Sequence, residues 1–385
     1  MPNIKELHRQ AMDLAEDGFL AKKKGDETKS LSLFSQALEL EEMAAESLEL
    51  CEESEPTRSI LYRSAASLAF NIGDFRLCDR LIARGLSGFP PEEIEEELKN
   101  LYEDVNFMRH LSVRGLELDP NQWLMSISGN AVKYGGAVAD HLLVRVEKIK
   151  TLFYRTVERL LEQPYRNKGV INKEIKKGYE LYINAFEPRS FGISFQIGKP
   201  DPQMEMFPEL QDAKIVEPEG IIDEIFKCFE LLEKNDLKEL KEKIKDETYY
   251  ENFIGLVKEI APDGNNVKMV GFNTIRRGKE NPIALKKSRK DLRDSIGFRK
   301  ELKASSNADV YLTLTGSLMR ANTPLSGKYG TVVLVEFNTL TKHTVKVPIS
   351  IMKDVVQPYY EEVVTIYCTK RGERIFLEEI ESVSE

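Results

Sequence analysis

The stretch SISGNAVKYGGAVADHLLVRVEKI, residues 126–149, comes nearest to a chemical motif. A short alternating run leads through Gly129, Gly135 and Gly136 into a helical periodicity, the local grammar of a turn whose backbone N–H groups cradle a phosphate at a helix N-terminus. The spacing does not complete that motif. A phosphate loop needs Lys-Ser or Lys-Thr to open the helix, and a dinucleotide fingerprint needs G-x-G-x-x-G. Here the helix opens on Ala137-Val138-Ala139-Asp140, and the carboxylate would repel a phosphate. Ser126 and Ser128 lie beside glycines without the G-x-S-x-G elbow that exposes a nucleophile. The loop is expected to be a structural turn, with no cofactor. An enzyme site assembled only in three dimensions, from Asp140, His141 and Glu147, stands as a third reading of the chain.

Metal and thiol chemistry find less. Cys51, Cys78, Cys228 and Cys368 show no C-x-x-C spacing, and His8, His110, His141 and His343 are not paired at ligand spacing. The cysteines are expected in cores, and no metal is expected.

These residues belong to a chain of 385 residues, enough for two or three domains at roughly 100–200 residues each. Apolar residues make up 41% and charged residues 31%, a balance that supports folded cores. The first residues have neither an apolar signal core nor the Arg-rich, acid-poor bias of a transit peptide, and no stretch approaches a membrane span. A cytoplasmic protein without a membrane partner is expected. The fold class is multi-domain α+β: antiparallel helical hairpins over residues 1–113, an antiparallel α+β domain over 114–305, and a small β-barrel over 306–385.

From residue 3 to about 112 the periodicity is helical throughout. Two landmarks recur, DGFLAKKKGDETKSLSLFSQALELE (17–41) and SAASLAFNIGDFRLCDRLIARGLSGFP (64–90). Each has a small residue, a Gly-Asp turn seven positions later, a large apolar residue, and then an Ala-Leu or Gly-Leu pair. Over about residues 10–110 the pattern resembles the tetratricopeptide repeat. Gly18, Gly25, Asp26, Phe34, Ala37 and Leu38 fall at its signature positions in the first copy. Tyr62, Ala66, Gly73, Asp74, Phe75, Ile82, Gly85, Leu86 and Pro90 do so in the second. The two Gly-Asp turns are 48 residues apart, where the family repeats at about 34. The resemblance implies stacked antiparallel hairpins, small residues admitting the neighbouring helix, and a surface for a protein partner. Pro91 and the acids after it start a further helix, expected to cap the array. Between Glu39 and Glu55 stand eight acids and no basic residue. Tyr62, Phe75, Glu41, Glu42 and Glu49 are the candidate partner-binding residues, weighed against an ordinary solvated face.

Past the turn Asp119-Pro120-Asn121 the pattern becomes mixed. A strand precedes the glycine loop, and a hairpin spans 178–200. A proline-rich acidic run covers 200–220, and helices are read at about 219–234 and 248–261. NNVKMVGFNTIRR reads as a strand and ALKKSRKDLRDSIGFRKELK as a helix. Hairpins rather than β-α-β crossovers favour an antiparallel sheet covered by helices. Residues 276–303 hold eleven Lys or Arg against four Asp or Glu, +7 within a chain of −9. Arg276, Arg277, Lys286, Lys287, Arg289, Lys290 and Arg293 are therefore candidates for an anionic partner, whether nucleic acid, an acidic protein surface or this chain's own acidic helices.

From Val310 onward alternation is nearly pure: three strands, a short helix at SIMKDVVQPYY and two more strands. This element order is similar to the OB-fold in layout only, with an SH3-like barrel as the alternative. Tyr311, Phe337, Tyr367 and Phe376, with Arg320, Lys328, Lys342, Lys346, Lys370, Arg371 and Arg374, are of the types a single-stranded nucleic-acid face uses. They are equally ordinary core and surface. The leading expectation is a non-enzymatic adaptor that binds a protein through its hairpins. The alternative is nucleic-acid binding through the basic segment and the barrel.

Overall fold

The computed structural model describes residues 3–24, 26–111, 118–133, 136–184, 192–198, 216–276, 279–295, 310–324, 327–337 and 339–383. The chain forms two compact units, residues 1–110 and 111–385. Among the described residues no helix is long and apolar enough to cross a membrane.

The first unit is helical: α1 (Ile4–Lys23), α2 (Glu27–Glu46), α3 (Thr57–Ile72), α4 (Phe75–Leu86) and α5 (Glu92–Leu111). Short connections make α1/α2 and α3/α4 antiparallel pairs. The two hairpins repeat one another contact by contact. Asp26 caps α2 by accepting from Lys29 N (3.0 Å), and Asp74 caps α4 by accepting from Leu77 N (2.9 Å). Asp26 N donates to Ala21 O and Asp74 N to Ala69 O, both at 3.0 Å. Ser30 Oγ donates to Gly18 O (2.9 Å), and Cys78 Sγ to Ala66 O (3.1 Å). Phe34 and Ile82 fill the same place in each core, followed by Ala37 and Gly85. The small residues are needed for contact. A Cβ on Gly18 would meet the Phe34 ring at 2.8 Å, and one on Gly85 would meet Leu98 of α5 at 2.9 Å.

The second unit begins with β1 (Gln122–Ser128), the small turn of β2 (Val132–Lys133) and β3 (Gly136–Ala137), then α6 (Ala139–Leu160) and α7 (Lys173–Gly178). The hairpin β4 (Leu181–Asn184) and β5 (Gly192–Ile197) follows, then α8 (Pro218–Glu233), α9 (Leu237–Ile244) and α10 (Glu247–Ile260). After these come β6 (Met269–Asn273), β7 (Ile275–Arg276), β8 (Lys279–Glu280), β9 (Ile283–Leu285) and α11 (Arg289–Ser295). A sheet runs in the order β4-β5-β1-β6-β9, with every adjacent pair antiparallel. Strand alternation turns Trp123, Met125 and Ile127 toward the helices. Trp123 stacks on Phe195 (5.2 Å) and lies 6.1 Å from Phe153 of α6, while Phe229 of α8 lies 4.9 Å from Phe272. Ala284 and Leu285, read from the sequence as the start of a helix, are in β9. Pairing with β6 overrides a good local helix former, and α11 begins only at Arg289.

The chain ends in β10 (Val310–Asn322), β11 (Tyr329–Glu336), β12 (Lys342–Pro348), α12 (Ile349–Ile351), β13 (Val363–Arg371) and β14 (Arg374–Ser382). Pairing runs β10-β11-β12-β14-β13 and back to β10, so the sheet closes on itself, with β12–β14 its parallel pair. These strands and the helical layer share one hydrophobic core. The change near residue 305 is therefore one of secondary structure within a single compact unit.

A polar seam joins the two layers. After α12 the chain makes a wide π turn, Met352–Val356, and Asp354 on it accepts from Arg155 Nε of α6 (2.7 Å) and Asn252 Nδ2 of α10 (3.0 Å). The Ser350 carbonyl accepts from the Tyr165 hydroxyl (2.5 Å) and Asn252 Nδ2 (2.8 Å), and the Asp354 carbonyl from Lys148 Nζ (2.8 Å). The Arg155 and Asp354 side chains are 4% and 7% exposed, so removing either leaves a buried charge short of a partner. Asp354→Ala should cost about 3–5 kcal/mol in urea denaturation, and Arg155→Met with Asp354→Leu should recover most of that. A loss below about 1 kcal/mol for Asp354→Ala would mean that Glu158 alone suffices for Arg155.

Candidate functional site

The glycine turn is built from packing. Gly129 has φ +124°, and a Cβ there would stand 2.6 Å from Asn266 O and 2.7 Å from Lys268 N. No side chain fits between the strands at that point. Gly135 lies outside the described residues. His141 Nδ1 is 3.9 Å from Asp263, whose carboxylate already accepts from Asn265 N and Val267 N (both 2.9 Å). Burial opposes ionisation of Asp263, but those N–H groups and Arg145 outweigh it and hold the carboxyl below its ordinary range. Asp140 is exposed, and Glu147 is turned outward to Lys150 (2.5 Å). The three candidate catalytic groups do not converge. Among the described residues no group of His, Cys, Asp or Glu could hold a metal ion.

Three described cations of the basic segment, Lys287, Arg289 and Arg293, are engaged by their own chain. Arg289 pairs with Glu259 of α10 and donates to Lys258 O (3.2 Å). Arg293 lies 4.3 Å over the Tyr367 ring and 3.7 Å from Glu379 of β14. Lys287 Nζ donates to Leu232 O (2.8 Å) at the end of α8, and the backbone N–H groups of Lys286 and Lys287 bond Glu233. Lys286 and Lys290 are exposed. Arg276 is in β7, and Arg277 lies outside the described residues. Burial pushes the Glu379 carboxyl up and the Lys258 amine down, while their attraction at 3.8 Å opposes both shifts.

On the helical unit the five partner-binding candidates divide. Tyr62 is 5% exposed and lines the core beneath Gly85, and Phe75 packs half-buried against Phe70 at 5.7 Å. Glu41 is fully buried: His8 Nδ1 meets its two oxygens at 2.9 and 3.0 Å, and the Ser64 hydroxyl bonds it from α3. Tyr62, Phe75 and Glu41 thus hold helices together. Glu42, half-buried, lies 3.6 Å from Arg84, and Glu49 is exposed. Large apolar side chains that sequence reasoning passed over are about half exposed here, among them Phe19 (51%), Met43 (53%), Leu50 (58%) and Phe89 (55%).

On the barrel surface Tyr329 and Phe376 meet edge to face at 5.4 Å, with Arg371 5.5 Å over the Phe376 ring. Lys346 is the cross-strand neighbour of Phe376. Tyr311 and Phe337 are exposed elsewhere on the barrel, and Tyr367 is engaged by Arg293 and Glu381.

No protein-family model, curated protein or solved structure matches the chain.

The His8–Glu41 pair yields a pH test. Burial raises the Glu41 carboxyl above its ordinary value, so ionising it in the folded state costs stability as pH rises from the ordinary carboxylate range through the raised value. His8, Ser64 and the nearby Arg63 offset that cost. His8→Ala should therefore lower the stability measured by urea denaturation little near pH 4 and most near neutrality, by about 1–3 kcal/mol, and adding Glu41→Gln should remove most of the pH dependence. An equal loss at both pH values would mean that His8 acts only by packing.

Proposed function

We propose that the chain is a protein-interaction adaptor whose tetratricopeptide-like hairpins hold a protein partner. The observation that carries this reading is the pair of equivalent hydrogen bonds, Ser30 to Gly18 and Cys78 to Ala66, set in hairpins with the same caps and the same small and large core positions. Two hairpins built alike and closed by α5 are the beginning of a stacked array, an architecture whose usual work is binding extended partners on its surface. Phe19, Met43, Leu50 and Phe89, half exposed, give that surface apolar anchors. The absence of convergence around His141 argues in the same direction.

A second reading is favoured by the Tyr329–Phe376–Arg371 group. Three strands, a helix and two strands closing through the parallel β12–β14 pair support an OB-like barrel. Paired rings beside Arg371 and Lys346 suit a stacked base and its phosphate. On this reading the barrel, rather than α11, is the nucleic-acid surface.

Capture from source-cell lysate separates the two. The adaptor should recover a stoichiometric protein that is lost on deleting residues 1–112, and capture unchanged by the deletion would sink the reading. For the second, single-stranded oligonucleotides should bind at low salt, weaken steeply as salt rises, and lose about tenfold in affinity or more in Phe376→Ala. Absence of binding at low salt rejects it.

A further inference from the structure

We infer that the corner of the helical unit around Leu50 and Phe89 is a docking surface for a cationic amphipathic segment of a partner protein. The inference rests on the adaptor reading and names the partner's chemistry. The corner is one continuous piece of structure. Arg84 of α4 reaches Glu46 (2.5 Å) and Glu42 (3.6 Å) of α2, and its carbonyl accepts from Arg58 Nη2 (3.1 Å). Arg58 in turn pairs with Glu55 at 3.7 Å, with the two side chains 6% and 7% exposed. Gly88 lies on that pair. A Cβ there would stand 2.5 Å from Arg58 Nη1, 2.7 Å from Glu55 Oε1 and 3.5 Å from Leu50 Cδ1. The turn bearing Phe89 is pinned on a buried ion pair, beside Leu50, and both side chains are more than half exposed. Single exposed apolar residues are ordinary, whereas neighbouring ones on a fixed support are the material of an interface.

Charge decides what covers them. Of the eight carboxylates from Glu39 to Glu55, Glu41 and Glu55 are buried against His8 and Arg58, and Glu42 and Glu46 meet Arg84. Glu39, Glu49, Glu52 and Glu53 are exposed on the same stretch, which contains no Lys or Arg. That rim repels nucleic acid and anionic lipid. A second copy of this chain using the same face would bring Glu49, Glu52 and Glu53 of one copy against the same acidic stretch of the other. A segment whose Lys or Arg residues flank an apolar stripe buries Leu50 and Phe89 and neutralises the rim together.

The test titrates the full-length protein with a labelled peptide of Leu and Lys patterned as an amphipathic helix, and with the same peptide carrying Ser for Leu. The Leu/Lys peptide should bind, more weakly as salt rises, and the Ser peptide should bind at least about tenfold more weakly. Leu50→Ser with Phe89→Ser should lower affinity about tenfold or more, as should Glu49→Lys, Glu52→Lys and Glu53→Lys together. Asp13→Lys, Glu16→Lys and Asp17→Lys on α1, toward the end of α2 that holds Ser30 rather than the end that leads to Leu50, change the charge equally and should stay within about twofold of the parent. Melting curves of all variants should match the parent, because each altered side chain is exposed. Equal loss in the α1 variant, unchanged affinity in Leu50→Ser with Phe89→Ser, or no binding overturns the inference. The adaptor reading fails separately: it falls if no cellular partner depends on residues 1–112, and it stands if such a partner is captured undiminished by the corner variants, in which case only the corner is rejected.

Discussion

The arrangement of residues 111–385 follows from the need to match one buried cation, Arg155. Its guanidinium sits where water cannot serve it, and an unmatched charge there would cost several kcal/mol. The chain supplies Asp354 from the π turn, Glu158 one helical turn away at 3.2 Å, and the Arg166 carbonyl at 3.0 Å. Because Asp354 follows β12, meeting this requirement fixes the barrel against α6 and α10. Asn252 then has no freedom either: its amide donates to both Ser350 O and Asp354, so neither layer can slide without opening several bonds at once.

The same economy accounts for the electrostatics. Residues 1–110 hold thirteen Lys or Arg and twenty-three Asp or Glu, a net of −10, which leaves +1 for the remainder of a −9 chain. The second unit has nearly equal numbers of opposite charges and spends many of them inward. Arg145 closes the end of α10 by donating to Ile260 O (3.0 Å) and Ala261 O (3.1 Å), Arg289 reaches Lys258 O at the same end, and Lys287 closes the end of α8. A run of positive charge in sequence is thus distributed over helix termini and carboxylates in space. In the first unit Glu49, Glu52 and Glu53 are exposed, on a stretch that contains no Lys or Arg.

What the sequence disclosed tracks how local each determinant is. Helical periodicity, the Gly-Asp turns and the alternation of the last strands depend on neighbours a few positions away, and the helices of residues 4–111 and the strands after Val310 lie where those signals put them. The seam was illegible because Arg155 and Asp354 are 199 residues apart. One signal did exist: Arg145, Lys148 and Arg155 fall at helical spacing beside the apolar stripe of α6, a basic row too near the core face to be solvated. Tyr62 and Glu41 misled for a related reason. Residue type suggests a surface aromatic and a surface acid, but burial is settled by α4, α5 and α1, which the local pattern does not place.

The two units therefore use charge in opposite ways, and this bears on where function can sit. In the second, cations are locked into bonds that hold the fold, so altering them changes stability before it changes recognition. In the first, the core is built of small and apolar residues in register, Gly18 on Phe34 and Gly85 on Leu98, and needs few of its charges. Exposed acids there that neither cap a helix, as Asp26 and Asp74 do, nor pair across helices can vary within about 0.5 kcal/mol each. Such a surface can change at little cost to the fold, because the packing of the hairpins rests on residues beneath it. The barrel's Tyr329 and Phe376, which pair with each other and carry Arg371 over the Phe376 ring, take no part in the bonds of the junction at Asp354, so changes to them act on the barrel surface and leave those bonds in place.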